Sequence, residues 1–151
     1  RLARPDSPVV GIVGDGAFMM TCMEILTATK EGLGIAYFVF HDGELSQIAQ
    51  AQEIPYNRKP CAVLGSVNLE GEALATGAAY VRMENDAAIA GCVAEARRIA
   101  ATGRPVVVDV NIDYSKRTAF TKGAVKTNFK RFPLAQRLRM VSRALLRKVT
   151  G

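Results

Sequence analysis

Two aspartates stand at the ends of apolar runs, each beside a glycine: Asp15 in "VVGIVGDGAF" and Asp42 in "YFVFHDGEL", 27 positions apart. An Asp-Gly pair is most often a turn, and in a two-residue hairpin it leads into another alternating strand. Beyond Gly16, however, the chain continues as a run of helix formers. If both apolar runs are parallel strands joined by a helix, the two carboxylates arrive at one edge of the sheet, the edge where open α/β sheets bind ligands. Two acids brought together repel each other unless a cation lies between them. Mg²⁺ suits that place: it takes oxygen ligands, is held by one or two carboxylates, and fills its octahedron with water and substrate phosphates. The glycines fit the same chemistry. Gly14 and Gly16 let the backbone approach a phosphate, and the amides of Ala17 and Phe18 open a helix whose N-terminus favours an anion.

The elements that must position these groups are legible in the hydrophobic patterning. "VVGIVG" (9–14) and "IAYFVF" (35–40) are continuously apolar, the pattern of parallel strands covered on both faces. Between them Phe18, Cys22, Ile25, Leu26 and Thr29 recur at helical spacing, with Met19 and Met23 widening the stripe, which predicts one largely buried helix over 18–30 that stops at Gly32 and Gly34. A right-handed strand-helix-strand unit results. Further along, the pattern predicts a helix over 44–52, a loop over 53–61, a small-residue helix over 69–80, a short strand over 80–83, a helix over 85–103 with Asn85 as its N-cap, and a strand over 106–113. Alternating strands and helices of this kind make a three-layer α/β sandwich with a mostly parallel sheet flanked by helices.

Composition bounds the function. The chain has 151 residues, of which 49% are hydrophobic, so it can bury a substantial core as one domain of ordinary size. No apolar run approaches the roughly eighteen residues of a membrane span, and "RLARPDSP" lacks a secretory signal, so a soluble, cytoplasmic protein is expected. Cys22, Cys61 and Cys92 form neither a metal pair nor an even disulfide set, which predicts reduced, buried thiols. Charge divides the chain near Asp113: residues 1–113 carry a net −5, residues 114–151 a net +11 with no acid at all. Two regions are expected, a body over 1–113 and a basic tail over 114–151.

The stretch "GDGAFMMTCMEILTATKEGLGIAYFVFHDGELSQI" resembles the thiamin-diphosphate motif, in which GDG is followed after about two dozen residues by a terminal polar pair. Together with "SPVVGIVGDGAF", "EGEALATGAAYV" and "GRPVVVDVNID", it is similar to the C-terminal, diphosphate-binding domain of the acetolactate synthase and pyruvate decarboxylase superfamily, over roughly residues 7–113. The resemblance implies that Asp15 and Asp42 ligate Mg²⁺ together with the backbone carbonyl of Glu44, and that Gly14, Asp15, Gly16, Ala17, Phe18, His41 and Gly43 line thiamin diphosphate. Where the family most often has Asn-Asn, this chain has His41-Asp42; Asp42 keeps an oxygen ligand and adds a charge, while His41 is either a hydrogen-bonded structural residue or a participant in catalysis. No further catalytic residue is assigned. The implied reaction is decarboxylation of a 2-oxo acid with acyl transfer, acetolactate synthase-like, another decarboxylase or lyase of the superfamily being the alternative. A pyrimidine-binding domain carrying an activating Glu must come from the same or another chain, in a homo-oligomer, and FAD on a further domain is left open. These residues are then expected to be the C-terminal portion of a longer polypeptide or one partner of a split enzyme, inactive alone.

Two readings from other classes compete. A receiver-like signalling module also gathers acids and Mg²⁺ at strand ends and could use Lys116, but "AQEIPYNRKP" supplies no acceptor aspartate. A binding protein could act through its tail, where Leu134, Leu138, Val141 and Leu145 form a stripe flanked by Arg137, Arg139, Arg143, Arg147 and Lys148 in a helix after Pro133, preceded by irregular chain. That helix is expected to pack on its own or a neighbouring subunit, or to form a lid over the cofactor edge. Membranes and nucleic acid are the less favoured partners, and the scarcity of aromatics counts against base stacking.

Overall fold

In the computed structural model, which describes residues 1–56, 58–65, 67–114, 116 and 119–150, the apolar runs form one parallel four-stranded sheet. Its strands are β1 (Val9–Gly14), β2 (Ile35–His41), β3 (Ala79–Met83) and β4 (Val106–Asn111), in the order β1-β2-β4-β3. The helices are α1 (Asp15–Met19), α2 (Ile25–Lys30), α3 (Ser46–Tyr56), α4 (Leu69–Ala75), α5 (Ile89–Ala101), α6 (Ala119–Arg131) and α7 (Leu134–Thr150). The described chain divides into two compact units, residues 1–44 with 64–113, and residues 45–63 with 114–151.

The first unit holds the whole sheet. One face packs Val39 and Val107 against Phe18, Cys22, Ile25, Leu69 and Ala73 from the α1–α2 segment and α4; the other packs Ala36, Val106 and Val108 against Ala96 of α5. Helices on both faces of a parallel sheet are the expected three-layer α/β arrangement. They explain why β4 reads as "VVVDV", buried without interruption from Val106 to Asp109. Close approach is built in at Gly34, where any Cβ would overlap the Ala100 carbonyl oxygen at the end of α5. Gly14 pairs with Phe40 and His41 with Asn111, so β1, β2 and β4 end side by side at the carboxyl edge.

Several local expectations need correction. The helix expected over 18–30 is broken: the amides of Met20 and Thr21 bond three residues back, to Ala17 and Phe18, and Thr21 leaves helical geometry before a 3-10 turn at Cys22–Glu24 leads into α2. The break turns Met19, Met23 and Leu26 outward, so only Phe18, Cys22, Ile25 and Ala28 are buried. Helix α4 stops at Ala75, and residues 79–83 are strand. In the second unit α3 runs through Pro55 to Tyr56, replacing the start of the expected loop, and the tail before Pro133 is helical as α6. Both α6 and α7 contact α3, and Gln50 Nε2 donates to the Tyr114 carbonyl at 3.0 Å. The three cysteines are free, but only Cys22 is buried; Cys92 is half-buried and Cys61 is exposed at φ 56°. Helix α7 begins where Pro133 ends the preceding segment, as expected, and the side chains of Arg147 and Lys148 lie outside the described residues.

Candidate functional site at the carboxyl edge

β1 ends at Gly14, whose extended backbone (φ −78°, ψ 154°) turns the chain directly into α1 with Asp15 as its first residue. The Asp15 side chain is 1% exposed. Its Oδ1 accepts from the Gly16 amide at 2.7 Å and its Oδ2 from the Gly43 amide at 2.8 Å. The second bond ties the end of β1 to the segment after β2, so the crossover unit brings Asp15 and the 42–43 turn together, across 28 positions of sequence. Gly43 reaches this place with φ 73°, a conformation that favours glycine. Asp42 Oδ1 accepts from the Glu44 amide at 3.3 Å, closing an Asx-type turn.

Electrostatically the surroundings of Asp15 are incomplete. A buried carboxylate needs compensation. Among the described residues Asp15 has two backbone dipoles and no cationic side chain. Each carboxylate oxygen retains acceptor capacity beyond its amide bond. A Cβ at Gly14 would meet nothing within 4 Å, so the backbone here faces open space into which a ligand group fits. Since α1 has only five residues, attraction for an anion rests on the amides of its first turn more than on a long helix dipole. Hard oxygen donors beside an open, amide-lined turn fit a magnesium diphosphate. Among the described residues no group of three His, Cys, Asp or Glu side chains could hold a metal, so a cation here would draw on backbone oxygen and ligand as well as on carboxylates.

His41 is placed differently from the other candidates. Its Nδ1 lies 3.1 Å from Asp109 Oδ1, and because an ionised carboxylate only accepts, Nδ1 carries the proton. Asp109 is 2% exposed and also accepts from Tyr80 Oη at 2.8 Å and from the Arg82 guanidinium at 2.7 Å. Arg82 in turn reaches Glu84 at 2.7 Å; hydrogen bonds to Glu84 and Tyr80, then the Asp109 charge, hold its guanidinium more firmly protonated than usual. Burial pushes the Tyr80 phenol up. Sequence reasoning missed this cluster, although an aspartate inside "VVVDV" was the signal: a charge within a strand buried on both faces must have partners. Beyond it, Glu84, Asn85, Asp86, Asn111, Ile112 and Asp113 line an open groove of about 860 Å³.

Over residues 1–110 the chain matches the family model for the C-terminal TPP binding domain of thiamine pyrophosphate enzymes. A Mycobacterium tuberculosis protein provisionally named acetolactate synthase large subunit IlvB2 is 38% identical over 112 residues, covering 74% of this chain and 20% of that protein. Acetolactate synthase of Bacillus subtilis is 32% identical over 114 residues, 76% of this chain and 20% of its own. Sulfoacetaldehyde acetyltransferase of Alcaligenes xylosoxydans xylosoxydans is 36% identical over 59 residues, 39% of this chain and 10% of its own. The chain thus spans about a fifth of the length of the first two relatives.

Proposed function

The chain belongs to the thiamine pyrophosphate enzymes as a C-terminal TPP-binding domain, and on that premise we propose that it is the cofactor-holding portion of an enzyme that decarboxylates a 2-oxo acid and transfers the acyl fragment, as acetolactate synthases do. In this reading Asp15 and Asp42 hold Mg²⁺ with the Glu44 carbonyl, and Gly14, Gly16, Ala17 and Phe18 bring backbone amides to the diphosphate. Gly43 braces Asp15, and His41, held by Asp109, fixes the end of β2 against β4 beside the cofactor. The bound cofactor supplies an electron sink for carbanion chemistry. The receiver-like and tail-driven alternatives have no comparable support.

The observation that carries the reading is Asp15: buried at the sheet's ligand edge, oriented through both oxygens, and lacking any cationic side chain among the described residues. The pyrimidine-binding domain and the residues that select the 2-oxo acid are assigned to the rest of a longer chain or to another subunit of a homo-oligomer. The apolar residues Ile12, Met20 and Met23 are exposed. They suit such a neighbour, since a parallel edge strand with an open apolar face calls for cover. A reducing cytoplasm accords with three free cysteines. Among the described residues no helix is long and apolar enough to cross a membrane.

The test suits weak binding. Phosphorus NMR of thiamin diphosphate with Mg²⁺ is expected to show line broadening on addition of the wild-type chain, broadening that depends on Mg²⁺ and vanishes with Asp15→Ala. Equal broadening by both proteins rejects the assignment of Asp15.

A further inference from the structure

The second unit carries an exposed apolar surface that the proposed cofactor residues do not include. Helix α7 has 17 residues. At the usual rise its length is about 25 Å. Leu134, Leu138, Val141 and Leu145 recur at three- and four-residue intervals along one side, and all four are exposed. The helix is held by another side: it contacts α3, and Met140 and Arg137 are its half-buried residues among those described. Arg137 closes the corner with α6 by donating to the Phe132 and Lys130 carbonyls. At about 100° per residue, Arg139 and Arg143 fall opposite the leucine stripe. No acidic residue occurs anywhere in 114–151, against eleven Lys and Arg.

We propose that α7 docks on an anionic lipid surface, with the leucine stripe at the acyl boundary and the basic face toward phosphate headgroups. Two observations choose this occupant over others. A helix with a strong apolar side, a cationic opposite side and low net hydrophobicity is the form that lies in a membrane interface. Its charge is wholly of one sign, complementary to an anionic headgroup layer, where each Lys or Arg contributes about fivefold in affinity. Nucleic acid would leave the leucines idle, and few aromatics accompany the charges to stack on bases.

The experiment uses the whole 151-residue chain and extruded vesicles, one set of phosphatidylcholine alone, the other an equal mixture with phosphatidylglycerol, in a flotation assay. Binding is expected to the mixed vesicles only and to weaken as salt rises. Arg139→Gln is expected to lower it about fivefold, and Leu138→Ser with Leu145→Ser, at exposed positions where helicity can be checked by circular dichroism, about tenfold or more. Equal binding to both vesicle types, binding to neither, or full retention in the leucine variant overturns the proposal. So does sedimentation showing that the stripe pairs two copies of the chain, or capture of duplex DNA that the leucine variant leaves unchanged while vesicles stay unbound.

Discussion

Two buried aspartates, one within a strand and one just beyond a strand's end, solve the problem of a desolvated charge in opposite ways. Asp109 is surrounded by side chains of its own unit: Arg82 neutralises it, and Tyr80 and His41 take two more of its acceptor sites. Asp15, equally buried, accepts from two backbone amides. Dipoles orient a carboxylate without cancelling its charge, so Asp15 keeps an electrostatic demand that Asp109 has satisfied internally. On the proposed function, the difference separates a carboxylate that holds the fold from one that holds a cation. On that reading the cluster with more titratable side chains is the poorer ligand site.

The largest expected effect is at Asp15. Asp15→Asn keeps the shape and removes the charge, and should weaken Mg²⁺-dependent thiamin diphosphate binding by more than about 100-fold, beyond the loss usual for a supporting shell, read as disappearance of the Mg²⁺-dependent broadening in phosphorus NMR, with circular dichroism unchanged. Asp109→Ala should do the reverse. It strands Tyr80 and Arg82, and denaturant unfolding should show a loss of about 2–3 kcal/mol, below the range for a fully buried pair, because Arg82 is half-exposed and keeps Glu84. Its cofactor affinity should change less than that of Asp15→Asn; the opposite ranking dissolves the contrast.

Gly43→Ala probes the same contrast at smaller scale. Nothing lies within 4 Å of the added Cβ, and φ there is 73°. The penalty is therefore conformational, about 1–2 kcal/mol, and a displaced Gly43 amide should loosen Asp15 enough to weaken cofactor binding severalfold. The smallest effect is Tyr80→Phe, about 1 kcal/mol for one hydrogen bond to Asp109. Its pH dependence has a definite sign. Burial raises the Tyr80 phenol above its ordinary value of 10.0 in the folded state. The unfolded chain therefore loses this proton first, and the stabilisation is complete below about pH 10 and declines as pH rises through the folded value. The Phe variant should show a shallower alkaline decline in thermal melts.

Much of the sheet was legible because buried parallel strands are rich in apolar residues, as "IAYFVF" and, but for Asp109, "VVVDV" are; "VVGIVG" reads the same way, but as the edge strand it leaves Val10 and Ile12 exposed instead of covered on both faces. The two Asp-Gly strand ends were legible for the same reason, since nothing else stops those runs. The break at Met20-Thr21 was not, because apolar spacing continues through it and only backbone hydrogen bonding reveals the turn. Helix α6 was hidden by Gly123 and the scattered threonines of "AFTKGAVKTNFKR", residues of low helix propensity that contacts with α3 override. The partner of His41 depended on register: β2 and β4, distant in sequence, place His41 and Asp109 on one face of neighbouring strands.

The proposed cation at Asp15 can be tested directly. In a ¹⁵N–¹H spectrum of the chain with thiamin diphosphate, Mg²⁺ is replaced stepwise by Mn²⁺, which accepts the same oxygen ligands and broadens nearby signals. The amides of Gly16, Ala17, Gly43 and Glu44 should disappear first, and Asp15→Asn should preserve them. Earliest loss at Asn85, Asp86 and Asn111, in the acidic groove beyond β3 and β4, would contradict a metal held at Asp15.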